Sequence, residues 1–236
     1  MHEWLLKFMR SPKLAWDAIG FKRKTNQILL LLEEILSNIP EEYTGKRKTP
    51  SNFYIEFKSI IETIEKIENE LIPNLESSIH VKFKTHELFY LALAQPNLNS
   101  LYKNVGRYFE SININSSLTT DDFNLLAASG ETSKVLALLG DAVLDLAVVE
   151  THWETSVDRV GDLSKKREKI VKNSNLARIC DEWNLYKYRL KKIKVMDKSR
   201  KEEIVHLKGT LVEAIIGIIY MENEPEVLLQ VLPYLQ

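Results

Sequence analysis

Apolar residues recur at helical spacing along most of the chain, and polar stretches between these runs mark the connections. Residues 1–22 read as a short amphipathic start anchored by Trp4, Leu5, Phe8, Met9, Leu14 and Trp16, with Lys22-Arg23-Lys24 at its end. Ile28, Leu29, Leu31, Leu32, Ile35 and Leu36 predict a helix over 25–38, ended by Pro40 and the polar stretch 41–51. Phe53, Ile55, Phe57, Ile60, Ile61, Ile64 and Ile67 predict a second helix over 52–71, closed by Pro73. The two helices fit an antiparallel hairpin. A change of composition at 77–84 divides the chain into a helical extension, 1–80, and a domain, 81–236.

Beyond that boundary, a helix over 86–94 stops at Gln95-Pro96-Asn97. Asn113, Asn115, Ser116 and Ser117 predict a loop, and 121–128 a short helix. Thr132 or Ser133 is the expected cap of a long helix reaching Glu154. Asp162 or Ser164 would cap the next, over 165–183. A polar connection at 191–201, a strong helix over 202–221 and a short one over 224–235 complete the chain. No run alternates cleanly enough to predict a strand, and no signature repeats, so the expected fold is all-α.

Composition narrows the class. Hydrophobic residues make up 44% of the 236 and charged residues 28%, enough apolar surface for a core. With 8 Gly and 7 Pro, long helices are favoured over tight turns. No apolar run approaches the ~20 residues that cross a bilayer. Charge interrupts Met1–Lys7 too often for a signal peptide. These readings predict a cytoplasmic protein without a membrane partner. Cys180, the single cysteine, excludes an intramolecular disulfide and a Cys-rich zinc site, and its apolar surroundings predict a core residue. The net charge of −1 conceals a local excess: residues 165–201 hold 14 basic and 4 acidic side chains, +10 against −11 elsewhere. Such a segment is either a footprint for a polyanion or a solvated lysine-rich face.

Acids inside apolar helices are the candidate chemistry. Asp141 and Asp145 interrupt the hydrophobic run 135–149 four residues apart, on one helical face. Glu213 stands alone among Leu211, Val212, Ala214, Ile215 and Ile216. Burying carboxylates is costly without a partner, so these acids either converge on a hard divalent cation or are satisfied by water and by Lys208 or an arginine. His206 lies two turns before Glu213, and His152-Trp153 at a helix end reads as packing.

The motifs add a resemblance. Leu139-Gly140-Asp141-Ala142-Val143-Leu144-Asp145 resembles the signature helix of the ribonuclease III catalytic domain. Gly209-Thr210-Leu211-Val212-Glu213-Ala214-Ile215-Ile216-Gly217 is similar to that domain's second acidic motif. Between them, Gly161-Asp162-Leu163-Ser164-Lys165-Lys166 through Asn175-Leu176-Ala177 follows the family's middle helix, and the segment from His86 to Pro96 resembles its opening helix. The resemblance covers 81–236. Two of the main branch's four metal-site acids are replaced, by Ala137 and Thr210. The Mini-III branch, which lacks a double-stranded-RNA-binding domain, resembles this chain at both positions and carries glutamate where Asp145 stands.

The resemblance implies a Mg²⁺-dependent endoribonuclease, with Mn²⁺ as a substitute ion, acting as a homodimer on double-stranded or structured RNA in ribosomal RNA processing. It implies Asp141 and Glu213 as metal ligands and Asp145 as a ligand or a group orienting water. Thr210 would hydrogen-bond a water or phosphate. Lys165, Lys166, Arg167, Lys169 and Lys208 would contact phosphates, which position a duplex without reading its sequence. A non-catalytic RNA-binding or ribosome-associated protein with the same fold is the alternative. A third reading makes the hairpin at 25–72 a docking element for a partner.

Overall fold

The computed structural model describes residues 19–114, 116–153, 160–193, 200–223 and 225–236. The amphipathic start over 1–18 and the 194–199 part of the polar connection lie outside the described residues. Among the described residues every named element is helical, and the only extended pairing is an isolated parallel bridge between Ala94 and Leu190.

Helices α1 (Phe21–Ser37) and α2 (Thr44–Lys66) form the expected hairpin. Arg47 ties its turn, donating to the Leu36 carbonyl at 2.9 Å and to that of Ile39. Carbonyls at a helix C-terminus need such outside donors. Pro73 does not close the second helix. A π turn at Ile67–Leu71 leads straight into α3 (Ile72–Ile79), so the helical path runs on to a left-handed His80 with φ of 55°. The reason is steric: proline lacks an N–H and crowds the carbonyl four residues back, and a wider π turn relieves both constraints.

Helix α4 (His86–Leu93) stops at an extended Ala94. Gln95 N–H then donates to the Leu190 carbonyl, and Leu190 N–H to that of Leu93, each at 2.9 Å. Helix α5 (Leu98–Ser111) occupies a segment where the sequence reading places no element. Its buried Leu98, Leu101, Tyr102, Val105 and Phe109 keep helical spacing, but Asn99, Ser100, Asn104 and Gly106 dilute the pattern. Helix α6 (Thr120–Ala127) begins with a reciprocal capping box between Thr119 and Asp122.

Helix α7 (Ser129–His152) starts before its expected cap. Ser133 is buried within it and donates to the Ala92 carbonyl at 2.8 Å. The single helix expected over 165–183 is two, α8 (Val160–Val171) and α9 (Asn173–Glu182), separated by Lys172 in an extended conformation. The Asn175 amide holds this break by donating to the carbonyls of Ile170 (2.9 Å) and Leu235 (2.7 Å). A 3₁₀ turn (Leu185–Tyr188), α10 (Lys201–Glu222), α11 (Pro225–Val231) and a closing 3₁₀ turn (Leu232–Leu235) follow.

One hydrophobic cluster joins the hairpin to the rest: Phe21, Leu32, Phe57 and Ile64 share a core with Leu88, Tyr102, Leu144 and Ile215. The Tyr102 ring meets Phe21 and Phe57 edge-on, and its hydroxyl bonds Thr25 at 2.8 Å. The hairpin's main apolar face is therefore consumed within this chain. Helix α10 is long and apolar enough by composition to cross a membrane, with a mean hydropathy of 1.6, more than its short apolar runs suggest. Its Leu211, Val212, Ala214, Ile215 and Ile218 are instead buried, with α7 and α9 as its main neighbours. Cys180 is a core residue as expected, and burial pushes its thiol up to about 12.

Candidate active site

Helices α7 and α10 cross where each presents a glycine. A Cβ on Gly140 would run into the carbonyl oxygen of Glu213 and stand 2.9 Å from the Gly217 nitrogen. A Cβ on Gly217 would run into the Leu136 carbonyl oxygen. Backbone thus lies against backbone, an approach only glycine permits. The contact sets the register of the site: Asp141 follows Gly140, and Glu213 supplies the carbonyl that Gly140 meets.

The carboxylates feel one another. Glu213 is partly buried, and burial followed by the negative charges of Asp141 and Asp145 pushes its pKa from 4.5 up to about 7. Asp145 has taken an arginine. Arg167 on α8 donates from Nε to Oδ1 at 2.7 Å and from its terminal nitrogen to Oδ2, a two-point ion pair. That hydrogen bond raises the guanidinium pKa further, and the charges of Asp145 and Asp141 add to it. The packing thus gives the arginine to Asp145, while Lys208 is bound elsewhere.

The other candidates divide. Lys208 Nζ contacts both Asp181 oxygens, at 2.6 and 2.7 Å, and lies 5.3 Å from the Tyr186 ring centre. The Thr210 hydroxyl donates to the His206 carbonyl one turn back, at 3.1 Å. Lys165 is highly exposed, with Asp162 at a loose 3.9 Å. Lys166 and Lys169 line a cavity of about 200 Å³ with His152, Ile170, Asn175 and Gln236. Ala137 is buried, His206 is exposed, and Trp153 is exposed rather than packed. Gly209 admits the Asn173 side chain, whose Oδ1 would stand 2.6 Å from an added Cβ. Among the described residues, no group of three or more His, Cys, Asp or Glu side chains is arranged to hold a metal ion. Asp141 and Glu213 remain as a pair of hard oxygen donors.

Two contributors escaped the sequence reading. One is Gly217 as partner of Gly140, although a glycine inside an apolar helix costs about 1 kcal/mol against alanine and so asks for a packing reason. The other is the pairing of Arg167 with Asp145. These residues lie 22 positions apart, and no periodicity connects them.

Residues 134–224, which contain both crossing glycines and all three acids, match the ribonuclease III domain family. The ribonuclease 3 of Campylobacter jejuni subsp. jejuni (serotype O:2) is 30% identical over 152 residues, 64% of this chain and 54% of that protein. The Bdellovibrio bacteriovorus ribonuclease 3 is 35% identical over 137 residues, 54% of this chain and 56% of that protein. The chain spans about half the length of the curated relatives it matches. No solved structure gives a significant match. With an all-α fold and acids at a glycine crossing, residues 134–224 are similar to a ribonuclease III domain, and the relatives are ribonuclease 3 proteins.

Proposed function

We propose that this protein is a divalent-metal-dependent endoribonuclease that hydrolyses phosphodiester bonds of double-stranded or structured RNA. The observation that supports the reading is the α7–α10 crossing, where Gly140 meets the Glu213 backbone and the exposed Asp141 acts electrostatically on the partly buried Glu213. Their oxygens suit a hard ion, Mg²⁺ or Mn²⁺. Burial and like charge together raise Glu213, a cost such a cation would offset. Alanine at 137 and threonine at 210 resemble the Mini-III branch, a likeness that makes the reduced acidic set compatible with activity and points to ribosomal RNA precursors in the cytoplasm as the substrate.

A bound Mg²⁺ supplies Lewis acidity toward water and the scissile phosphate. Asp141 and Glu213 hold it. Glu213 must be ionised to do so, so metal binding and cleavage rise between about pH 6 and 8 as it loses its proton near 7. Lys165, Lys166 and Lys169 on α8 carry the phosphate contacts. Lys208 and Thr210 are engaged within the chain and adjust the surroundings of the site. A second copy covers the exposed apolar stripe Val135, Leu138, Ala142 and Leu146 on α7, giving a homodimer. Residues 81–236 form the ribonuclease III-like domain, and 1–80 an extension whose described residues, from 19 on, share its core.

The test is cleavage of long double-stranded RNA with Mg²⁺ and with EDTA. Wild type cuts only with the ion, and Asp141→Asn and Glu213→Gln each lose about 100-fold or more while remaining folded. The replacements at Ala137 and Thr210 favour a second reading, a non-catalytic RNA-binding protein. It requires folded wild type to bind RNA without cutting it, with affinity unchanged in both variants.

A further inference from the structure

Three carboxylates approach one another at the crossing, and they are not equivalent. Asp145 presents both oxygens to Arg167, and the guanidinium reaches from a different helix, α8. A two-point pair of this kind takes about two of the four lone-pair sites of the carboxylate and offsets its charge, so Asp145 competes poorly for a metal ion. Asp141 and Glu213 show no side-chain ion pair among the described residues. We propose that Arg167 is a built-in counter-cation that withdraws Asp145 from the metal shell, so that the site binds a single divalent ion through Asp141 and Glu213. The inference rests on the metal-dependent reading above.

The arrangement has a physical logic. The charges of Asp141 and Asp145 both act on Glu213, and a fixed positive charge at Asp145 offsets one of them. The guanidinium also senses Asp141, so it lowers the negative potential that the ion experiences. Arg167 is therefore a positioning residue: it sets ion number and affinity through Asp145. A purely structural role, tethering α8 to α7, would change stability and leave ion binding alone.

The experiment is calorimetric titration of the full chain with Mn²⁺, with circular dichroism verifying the fold of each variant. Wild type binds one ion per chain, and Asp141→Asn or Glu213→Gln abolishes that binding. Arg167→Met releases Asp145 and tightens Mn²⁺ by about tenfold or admits a second ion, since a fixed positive charge is removed and a carboxylate is gained. Arg167→Met combined with Asp145→Asn removes the pair as a neutral unit and returns the affinity to within about threefold of wild type. Arg167→Lys keeps a cation and stays near wild type. Unchanged ion binding in Arg167→Met would overturn the proposal, as would a tenfold or greater loss in the double variant, which would make Asp145 a ligand in wild type. Wild type and Arg167→Met both failing to bind Mn²⁺ would also overturn it. One-ion binding that follows this pattern without RNA cleavage sinks the nuclease reading alone, whereas cleavage with the opposite titration pattern sinks the role of Arg167 alone.

Discussion

Where the hairpin meets the rest of the fold, Lys24, Asp122, Lys22 and Glu68 all have partners. Lys24, almost fully buried, pairs with Asp122 at 2.7 Å, and Asp122 also caps α6. The Lys24 hydrogen bond and the Thr119 backbone pull the Asp122 pKa down to about 2. Glu68 receives the Lys22 ammonium at 2.7 Å and the Tyr90 hydroxyl. At the α7–α10 crossing, by contrast, burial and then the charges of Asp141 and Asp145 push the Glu213 pKa up to about 7. The same chain thus satisfies charge at a structural junction and concentrates it at the candidate site. A raised carboxylate costs folding free energy, so the crossing holds in reserve an interaction that a cation can recover.

The sharpest way to break the crossing is Gly140→Ala. The new methyl meets the Glu213 carbonyl, which is backbone and has little freedom to yield, so the helices must separate. A loss of about 4 kcal/mol or more in urea denaturation is expected, with RNA cleavage lost alongside. Destabilisation below about 1 kcal/mol would mean that the two backbones do not touch in solution.

The structural junction yields to Lys24→Met, which removes the ammonium from Asp122 while its Thr119 bonds remain and costs about 3 kcal/mol at pH 7 by the same assay. The pH dependence has a definite sign. Because Asp122 is depressed from 3.8 to about 2, its contribution is present above about pH 4 and is lost as the pH falls toward 2. The variant should therefore lose part of the acid sensitivity that wild type shows in that window.

The smallest effect is also the most diagnostic. Glu213→Gln should stabilise the metal-free protein by about 2 kcal/mol at pH 8. The folded pKa lies above the ordinary 4.5, so ionisation penalises the native state increasingly from pH 4.5 to 7 and fully above 7. The gain should accordingly vanish by about pH 4.5, and saturating Mn²⁺ should reverse it at pH 8. Thermal denaturation across pH, with and without the ion, measures both. A destabilised Glu213→Gln at pH 8 would place this carboxylate among satisfied groups like Asp122.

Helical periodicity made most of the fold legible. The hairpin, α4, α6 and α10 all follow from runs of apolar residues at helical spacing, because burying one face is a local property of a helix. Periodicity fell short where local rules met tertiary context. Pro73 reads as a stop, yet a π turn carries the helix past it, and Lys172 breaks a helix that reads as continuous because Asn175 ties the break to Leu235. At the site, Asp141, Asp145 and Glu213 stand out in the sequence as acids in apolar runs. Their partners do not: Lys208 goes to Asp181 and Arg167 to Asp145, through contacts between helices far apart in the chain. The sequence alone specifies the helices, the acids and the cost of burying them, since each depends on residue type and short spacing. Which acid keeps an open shell and which is neutralised depends on the angle and closeness of three packed helices, and only the folded chain decides it.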